Sequence, residues 1–317
     1  MVSVSWKSLS VGSGANRRVC SGPHAAGLES FEQPLQADLH AQRAVWLAAQ
    51  LEAPRWGSVQ GYDGCGMSAG LLHNTALLPG GHAGPVQGSL WKLLDTMQKH
   101  PGATAAPALR ALLGRLQACG WEIAPHGLLV AAGTLKAVTP SAILRELTPP
   151  DGSVAQSGTG WQRASSWALA FHEAFAEPPT RAAQVDYAGR WLAADGRGDE
   201  HRLYALFMPA GFTPAGSEFL ALSAAQLPPE IELAMCIYHA FSVHNPEHAR
   251  SALAAVLQRV DGSDPAKLGK ALVVALANRT PRWKLKRYPR TRAALRTDAA
   301  RALWPSALID RIAPAVA

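Results

Sequence analysis

The chain has 317 residues, of which 48 % are hydrophobic, and its formal net charge is +7. This content is sufficient to bury a large core, either in one big domain or in two lobes. No apolar run reaches eighteen residues, which excludes a transmembrane helix. The first 22 residues lack an apolar stretch of seven or more, so we predict no secretory signal peptide. We therefore expect a protein that is made in the cytoplasm and that, if it acts outside, leaves by a non-Sec route or is released by lysis.

The first clear element is a helix that ends in an acidic residue. Asp38 is a suitable N-cap, and the apolar residues that follow it recur at helical spacing over residues 39–53. Pro54 ends this helix, which puts Glu52 in its last turn. Residues 56–72 are rich in glycine, contain short β-like pieces and predict a small hairpin.

Helical periodicity continues along the rest of the chain. Predicted helices cover residues 87–98, 107–119, 162–175, 181–194, 230–242, 246–260, 265–278 and 291–304. The stretch 148–160, rich in Pro, Gly and Ser, is the best candidate for a domain boundary. We therefore predict a mainly α (α+β) fold with a poorly ordered arm over residues 1–30. A lobe over residues 31–150 contains the hairpin, and a helical lobe over residues 151–317 completes the chain.

Positive charge is concentrated near the C-terminus. Residues 279–301 contain nine Lys or Arg and one acid, Asp298, which gives this basic segment a net charge of +8. The rest of the chain is therefore nearly neutral. Such a segment attracts polyanions, so bacterial cell wall, nucleic acid and anionic lipid are all candidate partners. The alternative is an ordinary solvated face of terminal helices.

The predicted hairpin carries the most informative run of the chain, YDGCGMSAGLLHN at residues 62–74. Its three glycines indicate tight backbone turns or the close approach of a ligand. Asp63 lies on this polar loop, and Glu52 lies eleven residues upstream between Trp46 and Trp56 in sequence. Hydrolysis of a glycosidic bond requires two carboxyl groups, one as acid and the other as base or nucleophile. An apolar setting near tryptophan suits the acid, because it favours the protonated form.

The order of these two features resembles the lysozyme-like superfamily. In goose-type lysozymes an Asp-bearing, glycine-rich hairpin follows the catalytic Glu, and the run DGCGMSAGLL at Asp63–Leu72 is similar to the loop of family 46 chitosanases. The resemblance covers residues 38–82 and implies a lysozyme-like helical fold for the first lobe. It also implies Glu52 as the general acid, Asp63 as the general base that positions water, and Ser68 as a hydroxyl that orients the loop.

Residues around the two carboxyl groups are expected to contact the glycan: Trp56, Tyr62, Ser68, His73 and Asn74. The sequence departs from the chitosanase pattern at Met67, where an aromatic residue is usual, and at His73, where Gln or Phe is expected. The interval between Glu52 and Asp63 is also shorter than in chitosanases. Glu29 and Glu32 therefore remain alternative acids.

Charge favours an anionic glycan as the substrate. Chitosan is a polycation that the net positive charge would repel, whereas peptidoglycan and its attached polymers are anionic. We therefore predict a muramidase-like glycoside hydrolase that cleaves peptidoglycan or a related amino-sugar polysaccharide, without cofactor or metal, and lytic transglycosylase chemistry stays open. The alternatives are a chitosanase-like hydrolase and a non-catalytic cell-wall or nucleic-acid binding protein, nucleic acid being the less expected partner. An immunity or delivery protein is left open as a further partner.

Other reactive residues give weaker patterns. The four cysteines lie far apart without a CxxC pair, which argues against a zinc ribbon and favours buried thiols over one or two disulfides: Cys20, Cys65, Cys119 and Cys236. Cys65 with His73 as its base is an alternative nucleophile. A metal site is a further alternative at three histidines: His239, His244 and His248. Helical spacing also suggests either one wall of a sugar groove or a plain surface face at Arg181, Gln184 and Tyr187.

Overall fold

A computed structural model describes residues 3–11, 18–26, 29–61, 67–78, 86–147, 159–193, 198–208 and 217–316. Helices account for 63 % and strands for 9 %, which confirms the predicted mainly α (α+β) class. Among the helices in these ranges, none has the length and hydropathy needed to cross a bilayer.

Nine strands, two of them nine residues long and the others of two to four residues, form three antiparallel sheets in the described part of the chain. In chain order they are β1 (Ser3–Val11), β2 (Arg18–Ala26), β3 (Val59–Gln60), β4 (Ser68–Ala69), β5 (Asn74–Thr75), β6 (Leu77–Leu78), β7 (Val86–Gln87), β8 (Trp121–Ala124) and β9 (Leu128–Ala131). The largest sheet has the order β1-β2-β3-β4-β5, and the pairs β6-β7 and β8-β9 stand apart from it. Within each sheet every strand pairs with its neighbour in chain order, and the connection from β2 to β3 contains a helix, His40–Glu52.

Fourteen α-helices are present in the described ranges. They are α1 (His40–Glu52), α2 (Ser89–Lys99), α3 (Pro107–Ala118), α4 (Pro140–Leu147), α5 (Thr159–Ala176), α6 (Pro178–Ala193), α7 (Asp199–Ala205), α8 (Ser217–Ala221), α9 (Pro229–Ser242), α10 (Pro246–Leu257), α11 (Pro265–Ala277), α12 (Tyr288–Leu295), α13 (Asp298–Leu303) and α14 (Ser306–Ile312). The predicted helix over residues 39–53 corresponds to α1, although its N-cap is Leu39 and not Asp38. The single helix predicted over residues 291–304 is wrong. Thr297 caps a new helix there by accepting a hydrogen bond from the amide of Ala300.

The chain divides into two compact units, and the division differs from the predicted lobes. The first unit comprises Met1–Ser30 and Arg55–Gln184, and the second comprises Phe31–Pro54 and Val185–Ala317. The predicted boundary at residues 148–160 is therefore not where the units divide, because the change falls within α6. The helix that ends in Glu52 belongs to the second unit, whereas the β3–β5 hairpin belongs to the first.

The first unit is built on the five-stranded sheet. The segment predicted as a poorly ordered arm, residues 1–30, contributes two strands to this sheet: β1 and β2 pair over nine positions, and β2 continues onto β3 through His24 and Ala25. Helix α5 packs against this sheet and against α3. Its buried aromatic side chains contact one another in order, Trp167 with Phe171 in a tilted arrangement and Phe171 with Phe175 edge to face, and belong to the core of the unit. The sheet and its core are the support on which the glycine-rich hairpin rests.

The second unit is a helical assembly around α9. Every residue of α9 from Ile231 to Ser242 is buried, as expected for a helix that other helices surround. Helices α1, α10, α11 and α14 pack directly against it. Helices α9, α10 and α11 begin with proline, a residue suited to the first turn because it needs no amide partner there. Charged groups on α1 and α9 are consequently held in an apolar interior.

Candidate functional site

Glu52 stands in a cluster of charged side chains within the second unit. Its carboxylate oxygen Oε1 lies 3.0 Å from Nη1 of Arg287 and also contacts Nε2 of His244. The side chains of Glu52 and Arg287 are 11 % and 13 % exposed, whereas that of His244 is 31 % exposed. The carboxylate is thus largely removed from solvent, and the imidazole is the member of the cluster that solvent reaches.

The backbone around Arg287 is unusual. Residues Trp283–Arg287 form a single π-helical turn before α12, and such turns occur frequently at functional sites. The ring of Trp283 stacks on Phe241 at 4.5 Å and meets the edge of His244 at 5.9 Å between centroids. The guanidinium of Arg287 lies 5.9 Å from the centroid of the same ring. This turn therefore places the Arg287 guanidinium against Glu52 and the Trp283 ring against His244.

A shallow cavity lies beside the same tryptophan. It is lined by Asn245, His248, Arg279 and Trp283, among others. Its enclosed space is about that of one water molecule, far smaller than a site for a small-molecule ligand. The imidazole Nδ1 of His248 lies 2.6 Å from Asn245 Oδ1. His248 is thereby tied to the start of α10.

The glycine-rich hairpin of the first unit has a strained turn. Gly70 has a φ of 71°, and the non-glycine residues Leu72 and His73 have φ values of 61° and 50°. Left-handed backbone is costly for residues with a Cβ, and such strain tends to concentrate at functional sites. Both ring nitrogens of His73 are held, one by Gln60 Nε2 at 3.0 Å and the other by Ser58 Oγ at 3.2 Å. Since an amide nitrogen donates to Nδ1, the ring proton resides on Nε2 and is donated to Ser58.

Three of the residues expected to contact a glycan are buried in the first unit, and we correct their role. Ser68 is fully buried in β4, and Asn74 is 8 % exposed and donates from Nδ2 to the carbonyl of Leu71. Trp56 is 3 % exposed and lies under the guanidinium of Arg181 at 5.4 Å. A sugar does not reach these side chains as they stand. They support the hairpin and its base.

The remaining predicted residues are accounted for as follows. Asp63, Tyr62 and Cys65 lie outside the described residues. Glu29 and Glu32, the alternative acids, are both exposed, and Glu29 forms an ion pair with Arg181.

The sugar wall suggested for α6 is wrong at two of its three positions. Arg181 is engaged by Glu29, and Gln184 is 1 % exposed and accepts a hydrogen bond from the amide of Leu71 at 3.1 Å. Gln184 thus fixes the hairpin. Burial raises the pKa of Tyr187 to about 12, so its hydroxyl stays protonated at neutral pH.

Sequence analysis missed a second cluster, which lies inside the second unit. His40 of α1 meets Glu232 and Cys236 of α9, with Nδ1 of His40 2.9 Å from Glu232 Oε1. The thiol of Cys236 donates to the same carboxylate oxygen at 3.2 Å and lies 3.7 Å from His40 Nδ1. All three residues are buried. A carboxylate, an imidazole and a thiol therefore converge in the core, and each is a common metal ligand.

Further polar groups surround this cluster. Tyr204 places its hydroxyl 2.9 Å from His40 Nε2 and 3.2 Å from His239 Nε2. The indole Nε1–H of Trp304 donates to Glu232 Oε2, and Arg43 Nη1 lies 3.5 Å from that oxygen. Every nitrogen of His40 and both oxygens of Glu232 consequently have a partner.

Burial dominates the protonation of the cluster. It raises the pKa of the Cys236 thiol well above its usual value, and it lowers the pKa of His239 to about 3, with His40 adding to the latter effect. Burial also acts to raise the pKa of Glu232, but the contacts with His40, Trp304 and Arg43 outweigh it, so the net shift is downward. Glu232 is thus a buried carboxylate, and His239 a neutral imidazole.

The metal site considered for His239, His244 and His248 is wrong, because the three imidazoles have separate partners. His239 faces Tyr204, His244 faces Glu52 and His248 faces Asn245. A local signal for the real cluster was present, since Glu232, Cys236 and His239 have the spacing i, i+4, i+7 of one helix face. Nothing local connects that face to His40, which lies 192 residues away from Glu232.

The thiols agree with expectation in part. Cys236 is buried as predicted, whereas Cys119 is exposed.

Comparisons of the chain with protein-family models, with curated proteins and with solved structures gave no match. The resemblance to the lysozyme-like superfamily therefore stays a prediction from the sequence.

Proposed function

We propose that the protein is a glycoside hydrolase that cleaves peptidoglycan, with Glu52 as the general acid and Asp63 as the general base. The observation that supports it best is the environment of Glu52. Its carboxylate ends a buried helix, is largely shielded from solvent and is contacted by Arg287 and His244. Burying charged groups costs desolvation energy that apolar residues would not cost, and proteins concentrate such clusters at functional sites.

The exposed imidazole supports an acid role for Glu52. A general acid gives its proton to the leaving oxygen and must regain a proton before the next turnover. His244 contacts the Glu52 carboxylate and is 31 % exposed, so it offers a route for that proton from solvent. Arg287 contacts the same oxygen and fixes the orientation of the Glu52 carboxyl group.

The hairpin supports the second part of the proposal. The role of Asp63 rests on its place in the run Asp63–Leu72, which ends at the turn containing the left-handed Leu72. Gln184 and Asn74 hold that turn through hydrogen bonds to Leu71. A loop anchored on a rigid turn positions a catalytic side chain more reproducibly than a free loop.

The basic segment supports an anionic substrate. Arg282, Lys284, Lys286 and Arg290 have no acidic partner among the described residues, and Leu285 between them is 72 % exposed. Unneutralised cations attract anionic polymers, peptidoglycan with its attached polymers among them. The same observation favours a second candidate function, in which the chain binds cell-wall polymers without cleaving them.

Digestion of purified cell walls tests the proposal. The wild type is compared with Glu52→Gln and Asp63→Asn, and Glu247→Gln is the matched control because Glu247 is exposed near the start of α10. We expect release of new sugar ends by the wild type and the control, and a loss of at least about a hundredfold in both site variants, with binding to the walls retained.

Each outcome has a distinct reading. Equal release by all four proteins removes the assigned roles, and binding without release by the wild type favours the non-catalytic candidate. Release of new sugar ends from chitosan but not from cell walls would make chitosan the substrate in place of peptidoglycan. Mass analysis of the products separates hydrolysis, which leaves reducing ends, from transglycosylation, which leaves anhydro ends.

A further inference from the structure

We propose that His40, Glu232 and Cys236 bind a zinc ion in the core of the second unit. The ligand atoms are His40 Nδ1, Glu232 Oε1 and Cys236 Sγ. The separation is 2.9 Å between Nδ1 and Oε1, 3.2 Å between Sγ and Oε1, and 3.7 Å between Sγ and Nδ1. Donor atoms bound at 2.0–2.3 Å to one tetrahedral zinc ion lie roughly 3.3–3.6 Å apart. A small widening of the two shorter separations therefore admits the ion.

The combination of ligands points to zinc among the common divalent metals. Magnesium and calcium prefer oxygen ligands only, whereas zinc accepts sulfur, nitrogen and oxygen together. Three protein ligands leave the fourth tetrahedral position for a water molecule. Since all three residues are buried, the ion would be incorporated as the unit folds, and its role is to join α1 to α9.

The surroundings match those of known metal ligands. A histidine that binds a metal almost always has its other ring nitrogen bonded to a second group, and a ligating carboxylate is itself hydrogen-bonded. Here His40 Nε2 lies 2.9 Å from the Tyr204 hydroxyl, and Trp304 donates to the second oxygen of Glu232. Neither contact involves a proposed ligand atom, because the first is made by His40 Nε2 and the second by Glu232 Oε2.

Entry of zinc changes the charge of the cluster. Zinc binds the thiolate, so the Cys236 thiol releases its proton when the ion enters. Glu232 and Cys236 then offset the two charges of Zn²⁺, and Arg43, 3.5 Å from Glu232 Oε2, leaves the site with one net positive charge.

The competing interpretation is a hydrogen-bond network without metal, and the two differ in the direction of the protons. Without metal, His40 donates from Nδ1 to Glu232, its Nε2 accepts from Tyr204, and His239 Nε2–H donates to Tyr204. With zinc on Nδ1, His40 donates from Nε2 to Tyr204, whose hydroxyl then donates to His239. Metal binding thus moves the His239 ring proton from Nε2 to Nδ1, an atom without a hydrogen-bond partner in the described structure.

Refolding of the full chain from denaturant with Zn²⁺ present, followed by equilibrium dialysis, tests the site, because the buried ion has to enter as the unit folds. We expect about one bound zinc per chain for the wild type and a loss of at least tenfold in affinity for Cys236→Ser and His40→Gln. Cys119→Ser and His248→Gln are the matched controls and should bind zinc as the wild type does. Absence of zinc binding by the folded wild type overturns the proposal, as does unchanged binding in Cys236→Ser.

Two measurements on the wild type keep the test decisive if the core variants do not fold. Replacement of zinc by Co²⁺ should give an intense thiolate-to-metal charge-transfer band. X-ray absorption of the zinc form should show one sulfur at about 2.3 Å and nitrogen or oxygen neighbours at about 2.0–2.1 Å. A shell without sulfur refutes the assignment. These readouts do not depend on glycan cleavage, so failure of the proposed function leaves them unaffected.

Discussion

Arg287 Nη1 lies 3.0 Å from Glu52 Oε1, and this ion pair joins the last residue of α1 to the π-helical turn that precedes α12. The two residues are 235 positions apart in the chain, and both side chains are less than 15 % exposed. The contact is therefore a tertiary link within the second unit as well as part of the candidate site.

Removal of this guanidinium should destabilise the second unit. Arg287→Ala leaves a largely buried carboxylate with His244 as its remaining partner, and we expect a loss of about 2 kcal/mol in the free energy of unfolding. Denaturant titration measures this loss. The control is Arg290→Ala, an exposed position in α12 where the change should stay within about 0.5 kcal/mol. Equal effects of the two substitutions would show that the ion pair contributes nothing.

The turn of the hairpin should resist any side chain at Gly70. Its φ of 71° disfavours a Cβ, and a Cβ built there would lie 2.8 Å from Gln184 Oε1 and 2.9 Å from the Phe175 ring. Gly120, with a φ of 74°, has open space instead and serves as the matched control. We expect Gly120→Ala to cost about 1 kcal/mol from backbone strain alone, and Gly70→Ala to cost at least about 2 kcal/mol.

Hydrogen exchange provides a local readout for the same pair. Gly70→Ala displaces Gln184, which accepts from the amide of Leu71, so exchange at Leu71 should accelerate in that variant only. Equal stability of the two variants would mean that Phe175 and Gln184 adjust without cost, and that the hairpin is less rigid than its contacts suggest.

Local patterns predicted most of the helices but few of their partners. The periodicity of apolar residues and Pro54 placed α1 correctly, because these signals lie within one element. The strands β1 and β2 were missed although β1, SVSWKSLSV, alternates polar and apolar residues over much of its length. Its partner β2, RVCSGPHAA, contains Gly and Pro, which are unfavourable in strands, and the strands gain their stability from pairing. Strand pairing of this kind is a tertiary property.

The same limit applies to the candidate site. Sequence analysis singled out Glu52, but its partners His244 and Arg287 come from distant segments, and no local feature announces a π-helical turn at Trp283–Arg287. The loop pattern suggested that Ser68 and Asn74 contact the glycan, but both side chains are buried and support the hairpin instead. Long-range partners and burial depend on how helices pack, which a single sequence does not state.

The basic segment should control retention on anionic polymers. We expect the triple variant Arg282→Ala, Lys286→Ala and Arg290→Ala to bind purified cell walls roughly tenfold more weakly at low salt, and the difference to shrink as salt is added. The control is a triple variant with the same change in net charge at exposed positions of α11 and the preceding loop: Arg259→Ala, Lys267→Ala and Lys270→Ala. A similar loss in both variants would indicate that total charge matters and not its placement.

Acid should destabilise the second unit through His239. Burial, aided by His40, holds the pKa of this imidazole at about 3 in the folded state, against 6.5 in a free side chain. Between these values the unfolded state binds the extra proton, so the free energy of unfolding falls as the pH decreases. We expect a loss of about 2 kcal/mol between pH 7 and pH 5, above the range in which the buried carboxylate of Glu232 begins to contribute.

Denaturant titrations at these two pH values test this dependence, with a chelator present throughout so that release of metal does not contribute. His239→Gln removes the titrating group and retains an amide that can face Tyr204, so its stability should vary much less with pH over the same interval. His201→Gln is the matched control on the partly exposed side of α7 and should retain the dependence of the wild type. If His239→Gln loses as much stability as the wild type between pH 7 and pH 5, another group in the unit takes up the proton.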